Sequence, residues 1–266
     1  MERPTDRPLG EALFVFAVVT AATAAITWLP QVLPGLDGYP HLVVGGIFLL
    51  TAVKLSQRER GGMRRYGVDL AGLLTPPDPD DPRLAGPLGV YDLARAIRGA
   101  LPAGLREAGV AVGVAALIFP PFVLGFWIFH QVALNPATFE LTWHPLRDFR
   151  FVVPDELGSF ALTQLLVVAL PEEAFFRGYL QTRLADRWSG RSVLGVALDP
   201  RVWLLQAACF SVIHFAAIPD PQRLAVFFPG LLFGLLRAWR GGIGAAMLLH
   251  AMSNVLAEIL ETGWLR

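Results

Sequence analysis

The sequence predicts an all-α, polytopic transmembrane helix bundle of about seven spans, with an amphipathic helix at the membrane surface. Three observations carry this expectation. The chain is 54% hydrophobic, has a mean hydropathy of +0.51 and carries 17% charged residues, against about 25% in soluble domains. Its apolar residues come in long blocks: Ala12 to Leu36 and Gly109 to Phe139 hold no charged side chain, and roughly 20 such residues cross a bilayer as a helix. Between the second and third apolar blocks lies one long polar segment, and it carries most of the turn signals.

Taken in order, the spans are expected at 11–33, 40–55, 109–134, 157–180, 200–218, 222–238 and 241–261. Arg3 and Arg7 precede the first apolar run. That run is too long for a signal peptide and shows no small-x-small cleavage site before Pro30, so an uncleaved first span is expected. The second and sixth spans are short, and Lys54, Arg223 and Arg237 can reach back to the interface. The polar segment begins "KLSQRERGGMRR", passes through "TPPDPDDP" and ends in "YDLARAIRGALPAGLREA". There Leu93, Ile97, Leu101 and Leu105 recur every four residues, as on a helix lying on the membrane, with Pro102 expected to bend or end it. Residues 1–156 are thus read as N-terminal spans plus a cytoplasmic linker and surface helix, and 157–266 as a second group of spans.

Charge orients the bundle. Segment 54–108 holds nine Lys and Arg, Arg183, Arg187 and Arg191 follow the fourth span, and Arg237 and Arg240 flank the sixth. With seven alternating spans these fall on one side, which the positive-inside rule makes cytoplasmic. Arg147 and Arg150 run against the pattern. The N-terminus is expected inside and the C-terminus outside. The Ala, Gly, Arg and Pro bias fits a GC-rich bacterium, hence an inner membrane. Net charge is zero, so nothing suggests nucleic acid. Cys209 is the single cysteine, which excludes an internal disulfide or a thiolate metal cluster. The sequence leaves the oligomeric state open.

Ionisable residues inside spans usually mark function. Here Glu172, Glu173 and Arg177 lie in the fourth span, His214 in the fifth, His250 and Asn254 in the seventh, with Gln164 early in the fourth and His130 late in the third. Glu173 and Arg177, four apart, share a helix face and can pair. Glu172 is turned about 100° away, free to point into the bundle as a general base. His250 and Asn254 share a face and make a donor pair of the kind that holds an oxyanion. Each group also has a structural reading: glutamates held by arginine and backbone, a satisfied core histidine, an interhelical hydrogen bond. Glu172, His214 and His250 would form a zinc-type set open at a fourth position, although no His-Glu-x-x-His motif is present. A water held by Glu172 and His214 explains the same residues without a metal or other cofactor.

"EEAFFR" (172–177), "FSVIH" (210–214) and "HAMSN" (250–254) match Glu-Glu-x-x-x-Arg, Phe-x-x-x-His and His-x-x-x-Asn in order. Over about 157–261 the chain therefore resembles the CAAX prenyl endopeptidase and bacteriocin-processing (CPBP, or Abi) family of intramembrane proteases. The resemblance implies a helical membrane enzyme that cleaves a membrane-associated protein or peptide in or near the bilayer. It assigns water activation to Glu172 with His214, and the substrate carbonyl and oxyanion to His250 and Asn254, with Glu173 and Arg177 in support. Family members have been described both as metalloproteases and as glutamate-type proteases. A proton- or ion-coupled transporter and an inactive immunity or structural membrane protein are the competing readings. The first needs a continuous polar path, whereas these polar groups converge on one place.

One geometric tension follows. Counted from Leu157, Glu172 lies about 22 Å down its helix, and His214 lies about 21 Å beyond Pro200 on the antiparallel fifth, at ~1.5 Å per residue. In a core about 30 Å thick they end up roughly 13 Å apart in depth. "Asp199-Pro200" reads as a cap and a first-turn proline, so the fourth span is expected to begin near Gln164 and run past Leu184.

Overall fold

The long apolar blocks form helices packed around two buried clusters. The computed structural model describes residues 7–33, 40–59, 62–70, 89–134, 141–143, 148–153 and 156–265. Arg3, the turn-rich stretch within 71–88, Arg147, Asp155 and the side chain of Leu93 lie outside that description. Helices α1 (Arg7–Val32) and α2 (Pro40–Gln57) come first, then the single turn α3 (Gly62–Arg65) and the long α4 (Gly89–Gln131). A two-stranded antiparallel hairpin follows, β1 (Val132–Leu134) with β2 (Leu141–Trp143). Then come α5 (Leu157–Arg187), α6 (Pro200–Ala217), a 3₁₀ turn (Pro221–Val226), α7 (Phe227–Arg240) and α8 (Gly244–Leu265). Among the described residues, four stretches are long and apolar enough to cross a membrane: Pro8–Pro30, Pro40–Gln57, Ile97–Gln131 and Leu157–Arg187.

The larger cluster joins α1 (Ala12, Val19) and α2 (Phe48, Ala52) to the α5 aromatics Phe175, Phe176 and Tyr179, and to Phe210 and Ile213 of α6. The segment after α3 belongs to it as well: Tyr66 and Val68 are fully buried, and the Tyr66 ring stacks on Tyr179 with centroids 6.1 Å apart. The smaller cluster joins Ala111 and Ala115 of α4 to Phe233 and Leu236 of α7 and to Ala245, Ala246 and Leu249 of α8. Small residues dominate it, and they let helices approach closely where lipid removes the hydrophobic drive to associate.

Two expectations are corrected. Pro102 does not end the surface helix: α4 runs unbroken through Pro102, Pro120 and Pro121, merging that helix with the third span. A proline deletes one hydrogen bond to the carbonyl four residues back, and the residues around Arg98 are exposed, so that carbonyl is left to solvent. Nor does α5 begin at Gln164. It starts at Leu157 and, as expected, passes Leu184, ending at Arg187. The depth tension disappears because the shared reference is the other end of the hairpin. Glu172 lies 15 residues before Arg187 and His214 lies 14 residues after Pro200, about 22 and 21 Å at ~1.5 Å per residue, so the two are level.

Helix α6 starts as its sequence dictates. Asp199 is the N-cap, accepting from the Arg201 amide at 2.9 Å, and Pro200 takes the first position. The hydrogen bonds from the Arg201 guanidinium hold the Asp199 carboxyl down to about 2, so the cap stays ionised; such caps contribute about 1 kcal/mol. Helix α5 is less regular. Its residues Gln164–Ala169 and Ala174–Leu180 form π-turns on either side of a short α-helical Leu170–Glu173. Pro171 accounts for the first, because proline has no N–H and crowds the carbonyl four residues earlier, that of Val167. The Leu170 amide accordingly bonds back to Leu165, five residues away. The freed Val167 oxygen faces Gly45 of α2, where a Cβ would come within 2.7 Å. Glycine at 45 is what lets α2 dock on this irregular stretch.

Candidate active site

The site sits between the two π-turns of α5. Glu173 and Arg177, both fully buried, pair through Oε1 and Nη1 at 2.9 Å. The guanidinium lies 4.0 Å over the Phe210 ring and 5.3 Å from that of Phe233, and Nη2 reaches the Gly230 carbonyl at 3.4 Å. A buried charge needs such partners, since desolvating an ion costs several kcal/mol. Two glutamines, not anticipated from sequence, extend the lattice. Gln206 Nε2 donates to the Gly230 carbonyl and Gln181 Nε2 to that of Gly234, each at 3.0 Å. Gly234 admits them, because a Cβ there would meet Gln206 Nε2 at 2.3 Å. This lattice seats α7, and α7 presses Phe233 flat against His250, with ring centroids 4.9 Å apart.

Glu173 also has a partner the sequence reading missed. The same Oε1 that pairs with Arg177 lies 2.9 Å from His250 Nδ1. A carboxylate accepts, so Nδ1 carries the proton and Nε2 is turned to the other side. His214 is fixed in the same sense. Its Nδ1 lies 2.7 Å from the Phe210 carbonyl, which can only accept, so Nε2 again is the nitrogen presented. Both Nε2 atoms face one carboxylate: Glu172 Oε2 lies 3.8 Å from His214 Nε2 and 3.8 Å from His250 Nε2. That exceeds a direct hydrogen bond and suits a small bridging group. Glu172 Oε2 is buried and takes no hydrogen bond from the protein. Exposure rises outward through the group, from 0% for the Glu173 side chain through 6% for His250 and 14% for Glu172 to 21% for His214. The opening is therefore on the Glu172–His214 side, and Glu173 is walled in.

The fourth polar residue on this face, Asn254, donates from Nδ2 to Gln164 Oε1 at 2.9 Å. Glu172, Glu173, Arg177, His214 and His250 are brought together, and Asn254 lies one turn from His250 on α8. His130 is not among them; it packs against Phe126 and Phe129 at the end of α4. A zinc ion with ligand bonds of about 2.0–2.1 Å and tetrahedral angles separates its ligand atoms by roughly 3.4 Å. The Glu172 and histidine atoms stand wider than that, and among the described residues no group of three His, Cys, Asp or Glu has metal-holding spacing. Each histidine does donate Nδ1–H to an oxygen, as metal-bound imidazoles do, so the ring orientations suit a metal and the separations do not.

Residues 154–256 match the family model described as type II CAAX prenyl endopeptidase Rce1-like. No curated protein and no solved structure matches the chain. The matched segment begins just before α5 and closes two residues after Asn254, so it contains all three motifs and the site they build. With that segment set among helices long and apolar enough to span a membrane, the chain is an integral membrane protein whose residues 154–256 are similar to the type II CAAX prenyl endopeptidases.

Proposed function

We propose that the protein hydrolyses a peptide bond of a membrane-associated or C-terminally anchored protein by direct attack of water, without a metal. The observation that carries this reading is the 3.8 Å spacing of Glu172 Oε2 from both histidine Nε2 atoms. A water between Glu172 and His214 meets two acceptors, the carboxylate and the bare Nε2, which take its two hydrogens and leave its lone pair for the carbonyl carbon. Glu172 removes the proton as the C–O bond forms, a role typically worth 10²–10⁴-fold. The carbonyl oxygen gains charge toward His250 and Asn254. Asn254 has an N–H for it. His250 turns its Nε2 edge toward it, held by the Glu173 carboxylate at Nδ1 and by Phe233 on its face. Collapse of the tetrahedral intermediate expels the amine, which takes the proton held by Glu172. Glu173 and Arg177 hold His250 in register and never touch substrate.

Changing His214 to alanine removes one of the two acceptors and leaves Glu172. Reconstituted in vesicles with total membrane protein from the source cells, the wild type is expected to generate new C-termini detectable by mass spectrometry. The His214→Ala protein is expected to generate them at least 10²-fold more slowly. Equal yields from both would remove His214 from the mechanism.

The topology we propose is seven spans in a bacterial inner membrane, N-terminus cytoplasmic and C-terminus outside, with residues 1–156 as a supporting half and 157–266 as the catalytic half. Support comes from the basic end of the bundle, where Arg183 meets Glu11 at 2.6 Å and Glu59 at 2.7 Å, and Arg237 meets the Tyr66 carbonyl. The 14 residues of α7 give only ~21 Å, but the 3₁₀ turn before it adds ~12 Å at about 2 Å per residue, enough for a 30 Å core. Cys209 is buried, so single cysteines report cleanly. A cysteine replacing exposed Ser189 is expected to react with an impermeant thiol reagent only in inverted vesicles, and one replacing exposed Gln222 only in right-side-out vesicles. The opposite pattern would invert the topology.

A further inference from the structure

Gln164 lies outside all three motifs, yet it accepts a hydrogen bond from the Asn254 amide. Its position depends on the π-turn. In a regular α-helix Gln164, eight residues before Glu172, would stand about 80° away from it around the axis. The π-turn at Gln164–Ala169 absorbs one extra residue, which brings that angle back to about 20°. Pro171, one residue before Glu172, is thus what aims Gln164 at the site. Both Gln164 and Asn254 are partly exposed. A primary amide has an accepting end and a donating end of nearly equal shape. Left alone, Asn254 could turn its Oδ1 toward a developing oxyanion and repel it. The Gln164 Oε1 acceptor holds Nδ2 in place, using one N–H and leaving the other aimed away.

We propose that Gln164 is a positioning residue of the peptidase reaction, acting through Asn254 by fixing which end of its amide meets the oxyanion. The inference rests on the hydrolytic reading above, and the experiment separates the two. The probe is whichever membrane-protein fragment the wild type releases and Glu172→Gln does not, supplied as a synthetic peptide spanning the cut. With that peptide, Gln164→Leu is expected to lower kcat about 10- to 100-fold, a share of the 10²–10³ that one oxyanion donor supplies, with KM within about threefold and the thermal midpoint unchanged. In the Asn254→Ala background the same change is expected to cost nothing further, because its route is already gone. If Gln164→Leu fails to fold, Gln164→Ser, polar and too short to reach Asn254, takes its place. A wild-type kcat for the Gln164 variants, or a loss that multiplies with that of Asn254→Ala, overturns the positioning role while leaving the hydrolytic reading standing. If Glu172→Gln releases every fragment the wild type does, the hydrolytic reading falls and this inference falls with it.

Discussion

Glu173→Gln is expected to remove most of the folded protein from a detergent extract, although the change is a single atom pair in size. The Glu173 carboxylate is fully buried and serves two cationic or proton-bearing partners through Oε1, Arg177 at 2.9 Å and His250 at 2.9 Å. Glutamine keeps an acceptor but loses the charge, and the buried Arg177 then loses the carboxylate it is paired with. Breaking a buried pair on one side costs about 3–5 kcal/mol, a large share of the 5–15 kcal/mol that holds a domain together. Removing both charges is expected to be milder than removing one. Glu173→Gln with Arg177→Met should therefore recover part of the lost thermal midpoint, though not activity, since His250 has lost its anchor. Thermal unfolding of the purified proteins checks the order. A Glu173→Gln midpoint within a degree or two of wild type would mean that the pair does not carry the fold.

The neighbouring change should do the reverse. Glu172 contributes an oxygen that takes no hydrogen bond from the protein, and its side chain is 14% exposed. Glu172→Gln is expected to leave the thermal midpoint in place. It should nevertheless lower hydrolysis by 10²–10⁴-fold, since an amide cannot accept the proton of the attacking water. Two adjacent glutamates thus separate into one whose loss unfolds and one whose loss silences.

Much of this was readable beforehand because helical spacing and the cost of charge in hydrocarbon are strong constraints. Glu172, Glu173, Arg177, His214 and His250 reach one place, with Asn254 one turn from His250 on the same helix. The Asp199–Pro200 start of α6 is a local signal and was equally legible. What sequence spacing hid is tertiary. Glu173 was assigned to Arg177 alone, because the four-residue rule sees its own helix and cannot see His250 arriving from α8. Gln164 has no partner legible in the sequence, and on an ideal helix it would stand about 80° off the face of Glu172. Pro171 was the available clue, signalling a disturbed turn immediately before Glu172. The burial of Tyr66 and Val68 in the shared core has no periodic pattern to announce it. Pro102 misled for the opposite reason: a proline weakens a helix without always ending it, and α4 tolerates the lost bond on an exposed stretch.

The most direct measurement compares wild type and Glu172→Gln side by side. Both are reconstituted into vesicles with membrane protein from the source cells, matched for folded protein by thermal unfolding, and assayed for new C-termini by mass spectrometry. A glutamate base working on water gives fragments from the wild type and none above background from Glu172→Gln, at equal thermal stability. Fragments released at the wild-type rate by folded Glu172→Gln would contradict it, and would leave Glu172 without a part in the reaction.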